Sequence, residues 1–141
     1  MQTIDKCIAF QTCKAAQALS RRSRELLAPF GVTVTQYSVL CALWERDGLS
    51  GAEIGARLVF DSATVTGLID RLQSASLIER RSDESDRRVN RVFLTLRGRE
   101  LQGPMQAAMR KLNDEVDTGL GEFAPLFREQ LSQLARRVAD T

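Results

Sequence analysis

The chain of 141 residues contains no histidine, three cysteines and a single tryptophan. Without histidine, no Ser/His or Cys/His catalytic pair can form. Cys7, Cys13 and Cys41 are odd in number and lack Cys-x-x-Cys spacing, so reduced thiols are expected rather than a disulfide framework or a metal site. A glycine-rich phosphate-binding loop is missing too. These absences argue against an enzyme and predict no cofactor.

Long apolar segments are scarce as well. Asp5 and Lys6 precede the first apolar stretch, which does not fit a secretory signal. The uncharged run 26–44 reaches membrane length, but Pro29, Gly31 and several hydroxyl residues interrupt it. The length and the 43% hydrophobic content predict one globular domain, which we expect to be cytoplasmic and without membrane contact.

The charge balance is informative only locally. A net charge of +2 is too small to indicate a nucleic-acid partner. Residues 79–99, however, carry an excess of arginines over acids, with Arg80, Arg81, Arg87, Arg88, Arg91, Arg97 and Arg99 against Glu79, Asp83, Glu84 and Asp86. Taken alone, this excess is as compatible with a solvated charged surface as with a DNA-binding one.

Hydrophobic spacing predicts two helices in the first third of the chain. The first covers about 4–27 and ends before Pro29 and Gly31. Thr35 is expected to cap the second helix. One buried stripe of that helix is predicted from i, i+3, i+4 and i+7 spacing, formed by Tyr37, Leu40, Cys41 and Trp44.

Two shorter helices are predicted next. Ser50, followed by Glu53, has the spacing of a capping box. Either Asp61 or Ser62 can cap the fourth helix, whose inward stripe consists of Val65, Leu68, Ile69 and Leu72. Its outward face begins with small neutral side chains, which suit a helix that must approach base edges in a groove: Ser62, Thr64 and Thr66.

The remainder predicts a hairpin and two helices. Two strands flank the charged run 79–88, and Thr95 ends the second strand and caps a helix with a kink at Gly103-Pro104. A last helix starts near Phe123 or Pro125 and aligns apolar residues at helical spacing, namely Phe127, Leu131, Leu134 and Val138.

This order predicts an α+β fold, mostly α: a winged helix-turn-helix with long terminal helices. We expect one domain over 1–141, with a DNA-binding lobe at about 35–98 and dimerisation helices at about 4–28 and 99–139. The terminal helices have apolar stripes that so small a lobe cannot cover, and pairing with a second copy would bury them.

The hairpin carries a recognisable motif. Its sequence from Asp86 to Gly98, DRRVNRVFLTLRG, resembles the wing of the MarR family, in which D-x-R precedes an apolar strand and L-T-x-x-G. Residues 35–37, 43–45, 61–66 and 70–72 are also similar to that family. The resemblance covers about 26–100 and implies a homodimeric transcriptional regulator, most often a repressor, that binds a pseudo-palindromic double-stranded DNA site.

The resemblance also implies roles for particular residues. Arg88 would be the wing-tip arginine that enters the minor groove, and Asp86 would orient it; a narrow minor groove attracts arginine through its negative potential. The alternative is that the two merely pair across the hairpin. Arg87 and Arg91 are expected to contact phosphate, although Arg91 could equally be a solvated strand residue. Arg71 either touches a phosphate or pairs with Asp70 or Glu79.

Family members of this type often bind small phenolic or carboxylic molecules between the dimerisation helices and the DNA-binding lobe, which releases DNA. Tyr37 and Trp44 are candidates for such an effector site, or else ordinary core aromatics.

Two alternatives remain open from the sequence. One is a thiol-based peroxide sensor using Cys7 or Cys13, although ungapped alignment to such sensors puts the reactive position at Ala9 and a supporting tyrosine at Ser23. Six residues of helix turn about 600°, so Cys7 and Cys13 point in different directions and cannot form an intrahelical disulfide. The other is a winged-helix module that binds only proteins.

Overall fold

The computed structural model describes residues 3–139 and is mostly helical. Its helices are α1 (Ile8–Leu27), α2 (Val34–Glu45), α3 (Gly51–Leu58), α4 (Ser62–Ser74), α5 (Leu96–Glu100), α6 (Gln102–Leu120) and α7 (Ala124–Ala139). Its strands are β1 (Leu49–Ser50), β2 (Ile78–Ser82) and β3 (Asn90–Leu94). This order confirms the predicted winged helix-turn-helix with long terminal helices.

The first helix begins later than the sequence predicts. A 3-10 turn covers Ile4–Lys6, and Cys7 then has extended backbone angles, so α1 starts at Ile8. At the other end, a second 3-10 turn, Ala28–Phe30, leads to Gly31 in the left-handed region at φ 67°. Glycine adopts that conformation without steric penalty, which is why the chain can reverse there.

The cap of α2 corrects the sequence prediction. Thr33, not Thr35, is the N-cap: its hydroxyl accepts a hydrogen bond from the backbone N–H of Gln36, whose side chain accepts one from the N–H of Thr33. The buried stripe is also rotated, because Val39, Leu40, Ala42 and Leu43 are buried whereas Tyr37, Cys41 and Trp44 are half-buried. Helix α2 therefore lies deep in the fold with neighbours on two sides, which a single stripe does not describe.

A third strand joins the predicted hairpin. The sheet has the order β1-β3-β2 and is antiparallel throughout, with Leu49 opposite Val92 and Ile78 opposite Leu94. Strand β1 has two residues, too few to show alternation in the sequence. The carboxylate of Asp47 accepts hydrogen bonds from the N–H groups of Gly48 and Leu94, which fixes the turn before β1 against β3.

One apolar core supports the helix-turn-helix and the hairpin together. Val65, Leu68, Ile69 and Leu72 are all buried, as the spacing on α4 predicts. They pack with α2, α3, the start of α6 and the sheet, through Leu40, Leu43, Ile54, Leu77, Ile78, Val92 and Met105. Because α4 and the strands share this core, α4's outward face and the hairpin are held beside each other.

The C-terminal helices break at a different residue from the one predicted. Thr95 caps α5 by accepting from the N–H of Gly98, as expected. The break falls at Leu101, and Pro104 lies in the first turn of α6, where its missing N–H has no partner to lose. Salt bridges then join the long helices: Arg22 to Glu115 between α1 and α6 at 2.6 Å, and Arg128 to Asp117 between α7 and α6 at 2.6 Å.

An apolar surface remains uncovered on α1 and α7. A groove of about 490 Å³ runs between them. Its lining and surroundings include large side chains that are 40–66% exposed: Ile8, Leu19, Phe127, Leu131, Leu134 and Val138. We call this the α1–α7 face.

No single helix within residues 3–139 is long and apolar enough to cross a membrane, although the bent pair Ile8–Phe30 and Val34–Glu45 meets that test when the two are taken together.

Candidate nucleic-acid interface

Helix α4 presents the small polar surface that its sequence indicates. Asp61 is the N-cap, since its carboxylate accepts a 2.7 Å hydrogen bond from the N–H of Thr64, and this bond lowers the pKa of Asp61. Ser62, Thr64 and Thr66 are all exposed. The hydroxyl of Thr66 donates to the carbonyl of Ser62 at 2.9 Å, so its oxygen still offers an acceptor outward. The first turns of α4 are thus slim and rich in hydrogen-bonding groups.

The turn before α4 holds a residue that sequence reasoning missed. Val59 ends α3 in the left-handed region, at φ 58° and ψ 47°, and it is 84% exposed. A β-branched residue there is strained by about 1–3 kcal/mol. The turn is closed by the N–H of Phe60, which donates to the carbonyl of Gly55 at 3.0 Å. No pattern in the sequence marks this backbone conformation.

The hairpin tip brings Asp86 and Arg88 together. Asp86 Oδ1 accepts from Arg88 Nε at 3.0 Å and from its backbone N–H at 3.1 Å, while Oδ2 accepts from Nη2 at 3.2 Å. These bonds lower the pKa of Asp86. The side chain of Arg88 is nevertheless 91% exposed. The pair lies within the tip loop rather than across the two strands, and it orients the guanidinium without covering it. Arg87 beside it is exposed as well.

Arg91 makes contacts within the fold that the sequence did not indicate. Its guanidinium donates to Asp83 Oδ1 at 3.2 Å, to Glu53 Oε1 at 3.1 Å and to the carbonyl of Gly48 at 3.0 Å. Its side chain is 33% exposed. Both carboxylates raise the pKa of Arg91, Asp83 more than Glu53. Because three acceptors from the fold hold this side chain through Nε and Nη1, it is not a solvated strand residue.

The expected ion pair of Arg71 is also absent among residues 3–139. Asp70 pairs with Arg80 at 2.5 Å, and Glu79 pairs with Arg81 instead. Arg71 is exposed near the end of α4. This leaves the phosphate contact as its expected role, and it identifies Arg80 as a contact to the outward face of α4 that the sequence did not single out.

The two candidate effector aromatics contact each other. Tyr37 and Trp44 are half-buried and meet edge to face, with ring centroids 5.8 Å apart. Trp44 Nε1 donates to the carbonyl of Gly98 at 3.0 Å. Burial raises the pKa of Tyr37 and of Cys41, so both are neutral near pH 7. Tyr37 lines a cavity of about 160 Å³, below the roughly 300 Å³ at which ligand pockets begin. This geometry agrees with the alternative that they are core aromatics.

The cysteines are separate in the structure. Cys7 is half-buried at the N-cap of α1, Cys13 is exposed one and a half turns into that helix, Cys41 is half-buried on α2, and all three are free thiols. Within the described part of the chain, no three His, Cys, Asp or Glu side chains cluster closely enough to hold a metal ion.

Similarity to known proteins covers most of the chain. The MarR family profile matches residues 32–89. The HTH-type transcriptional regulator TtmR of Methylorubrum extorquens is 44% identical over 104 residues, which is 74% of this chain and 53% of that protein. The match thus spans about half the length of this relative. The HTH-type transcriptional regulator YsmB of Bacillus subtilis is 30% identical over 120 residues, covering 84% of this chain and 82% of that protein.

Solved structures give the same result for the fold. BpsR of Bordetella bronchiseptica, studied for the regulation of its DNA binding by 6-hydroxynicotinic acid, superposes with a TM-score of 0.86 and 26% identity. The superposition covers 100% of this chain and 99% of that one, so the terminal helices match as well as the central lobe.

Proposed function

The chain belongs to the MarR family of transcriptional regulators, and from that premise we propose that it binds double-stranded DNA as a symmetric dimer whose α4 helices and wings contact adjacent grooves. The observation that carries this proposal is the Asp86–Arg88 pair: a guanidinium oriented by a carboxylate and still 91% exposed, at the tip of a hairpin beside α4. Here "wing" means the hairpin 78–94.

Helix α4 is assigned to the major groove. Ser62, Thr64 and Thr66 have short side chains, so the helix axis can approach the base edges, and each hydroxyl oxygen can accept a hydrogen bond from a base. Arg71, in the last turns of the same helix, is assigned to a phosphate. The three hydroxyl residues form the proposed sequence-reading surface, and Arg71 would fix its position on the DNA backbone.

The wing is assigned to the minor groove. Arg88 uses Nε and Nη2 for Asp86, and Nη1 has no partner within residues 3–139, so one edge of the guanidinium faces outward. A narrow minor groove concentrates negative potential, which favours insertion of this edge. Arg87 precedes it on the same exposed tip and is assigned to the flanking phosphate.

A second copy is assigned to the α1–α7 face. Leu131 is 49% exposed and Phe127 is 44% exposed. Large apolar side chains clustered on a protein surface normally mark an interface. The terminal helices at about 4–28 and 99–139 would then form the dimer, and the lobe at about 35–98 would bind DNA. Two-fold symmetry places the half-sites about one helical turn apart, on a pseudo-palindromic operator.

Regulation is assigned to a small carboxylic effector, aromatic or otherwise, that releases DNA, as expected of a repressor. The supporting feature is a groove of about 610 Å³ between α1 and the start of α2, large enough for such a ligand. Arg21 and Arg24 line it, both are exposed, and neither forms an ion pair among the described residues. Guanidinium groups bind carboxylates in a bidentate way.

The test is a fluorescence-anisotropy titration of the protein against the DNA upstream of its own gene, repeated at several salt concentrations. We expect log affinity to fall linearly with log salt, because arginines displace counterions from phosphates. A shuffled DNA of equal length is the control for sequence preference. Affinity that does not change with salt would favour a module that binds only proteins.

The effector assignment has its own assay. Benzoate or 4-hydroxybenzoate, added to the protein–DNA complex, should lower the anisotropy, and the neutral analogue benzamide should not. Arg21→Ala and Arg24→Ala should weaken the response while leaving DNA affinity without effector unchanged. An equal response to benzamide would reject carboxylate recognition.

A further inference from the structure

Arg91 joins the wing to the first helix of the helix-turn-helix. It lies on β3, and its three acceptors come from three places: Asp83 just after β2, the carbonyl of Gly48 before β1, and Glu53 in the first turn of α3. Glu53 is also 3.7 Å from Arg46. One side chain thus spans the wing, the turn that leads into β1 and the helix that precedes α4.

Arg80 makes the corresponding connection to the second helix. It lies on β2 and binds Asp70 at 2.5 Å and the side-chain amide of Gln73, both on α4. In the register of the hairpin, Arg80 stands opposite Val92 and Arg81 opposite Arg91. Since side chains alternate between the faces of a strand, Arg80 and Arg91 lie on opposite faces of the hairpin. The base of the wing is therefore held on one face to α4 and on the other to α3.

The contacts of Arg91 differ from ordinary surface ion pairs in their shielding. The side chains of Asp83 and Glu53 are 22% and 36% exposed. Desolvation acts to raise the pKa of Glu53, but hydrogen bonds from Arg91 and Ser50 outweigh it and leave that pKa below its usual value. An isolated exposed pair contributes little, whereas a network with shared partners and a fixed geometry contributes more.

The position of Asp83 explains why these contacts matter at the tip. Strand β2 ends at Ser82, and the tip loop that carries Asp86 and Arg88 follows directly after Asp83. The N–H of Asp83 donates to the carbonyl of Val89 at 2.8 Å, which closes the base of that loop. Strand β1 pairs only with Val92 and Arg91, so the hairpin is two-stranded toward its tip. Because two strands alone are barely stable, contacts at the base of this part determine where the tip points.

We propose that Arg91, with Asp83 and Glu53, is a positioning residue for DNA binding: it fixes the angle of the wing relative to α3 and α4, so that Arg88 reaches the minor groove while α4 occupies the major groove. This inference rests on the proposed function, because it assigns Arg91 an action through Arg88 rather than a DNA contact of its own.

Removal of one negative charge separates positioning from simple electrostatics. Asp83→Asn takes a negative charge away from the DNA-facing surface, which by electrostatics alone should tighten binding. Loss of the Arg91 contact predicts the opposite, a decrease in affinity of about five- to tenfold, less than the loss of Arg88 itself. The matched control is Glu84→Gln, which removes the same charge at the next residue, where no ion pair exists among the described residues; it should bind equally or more tightly.

A double-mutant cycle identifies the route of the effect. If Arg91 acts through Arg88, Arg88→Ala with Asp83→Asn should bind within about twofold of Arg88→Ala alone, because nothing remains to be positioned. Additive losses, or Asp83→Asn binding as tightly as Glu84→Gln, would overturn the proposal. If Arg88→Ala alone has no effect, the wing assignment itself fails, which is a different result from a strong Arg88 effect with a silent Asp83→Asn.

A footprint and a second variant complete the test. Hydroxyl-radical cleavage of the bound DNA should lose its minor-groove protection in Asp83→Asn, while methylation of major-groove guanines stays protected. Glu53→Gln breaks the opposite end of the same network and should give the same footprint, so a folding defect in either variant, detected by circular dichroism, does not remove the test. Loss of both protections together in a folded variant would contradict positioning of the wing.

Discussion

The indole N–H of Trp44 and the carbonyl of Gly98 lie 3.0 Å apart in a hydrogen bond that connects α2 to the short helix after the wing. Gly98 also packs directly on the backbone at the start of the hairpin, because a Cβ added to it would lie 2.2 Å from the carbonyl oxygen of Leu77. Three elements, α2, the hairpin and α5, therefore meet at one residue. This junction stands between the lobe to which we assign DNA binding and the long C-terminal helices.

The junction predicts a large effect of a small substitution. Gly98→Ala should destabilise the protein by about 1–3 kcal/mol or more, because the added methyl group meets backbone that cannot move away. Gly67→Ala in α4 is the control: its Cβ meets nothing within 4 Å, so stability should rise by about 0.5–1 kcal/mol. Urea unfolding measures both. Equal stability of the two variants would contradict the close packing at Gly98.

Arg88 should dominate the contribution of the wing to affinity. Arg88→Ala should weaken binding to the operator by about 1–3 kcal/mol and reduce the salt dependence. Arg88→Lys keeps the charge but loses the two-point contact with Asp86, so it should recover phosphate attraction without recovering preference for A/T-rich flanks. Anisotropy titrations on A/T-rich and G/C-rich flanks measure this difference. Wild-type preference in the lysine variant would argue against the orienting role of Asp86.

The slim face of α4 predicts sensitivity to length rather than charge. Thr64→Gln is neutral and exposed, so stability should not change, but its longer side chain should hold the helix away from the bases and lower affinity by about tenfold. Ser74→Gln at the far end of the same helix is the matched control and should bind like wild type. The idea fails if both variants bind alike.

Disruption of the α1–α7 face should separate the subunits. Leu131→Glu places a charge in the apolar groove and should shift the mass in sedimentation equilibrium from about twice 15.7 kDa toward 15.7 kDa. Operator affinity should fall with it, since two half-sites can no longer be held together. Ser132→Glu, exposed at the next position, should remain dimeric. A monomeric wild type at micromolar concentration would exclude this assembly.

DNA affinity should be nearly independent of pH between 5.5 and 7.5. The chain has no histidine, and hydrogen bonds lower the pKa of Asp61 and Asp86 below their usual 3.8. A carboxyl whose pKa is lowered in the folded protein stabilises the fold fully at any pH above its ordinary pKa. It loses that stabilisation only as the pH falls through the lowered pKa, which is far below 5.5. Burial moves the Cys41 pKa upward from 9.0, away from the same range. A transition near pH 6.5 in an anisotropy titration would contradict this.

Sequence reasoning recovered the elements whose periodicity extends over two or more turns. The inward stripe of α4 and the cap at Thr95 are as predicted, because each is determined by local spacing or by one side chain. The hairpin is also present, but β2 extends through Ser82 into the charged run 79–88 that was predicted to form the tip, so the tip loop is shorter than expected. The predicted N-cap of α2 is wrong by two residues. Thr33 and Thr35 can both act as N-caps, and only the reciprocal hydrogen bonds between Thr33 and Gln36 distinguish them.

Contacts between distant segments were beyond the sequence. In the sequence, Arg91 resembles any other arginine in a strand. Its partners Gly48 and Glu53 lie 43 and 38 residues away along the chain, and only the folded positions of β1 and α3 place them beside it. The same holds for Arg80: it pairs with Asp70, which the sequence suggested as a partner of Arg71. Charged side chains have no hydrophobic period, so their partners are known only once the fold has placed them.

Val59 leaves room for a more heat-tolerant form of this protein. Glycine would adopt the left-handed conformation of residue 59 without strain. The valine side chain is almost fully exposed and so adds no packing to the core. Selection for survival at elevated temperature should therefore favour glycine at position 59. If that variant distinguishes its operator from other DNA less well, the methyl groups of Val59 contact the DNA.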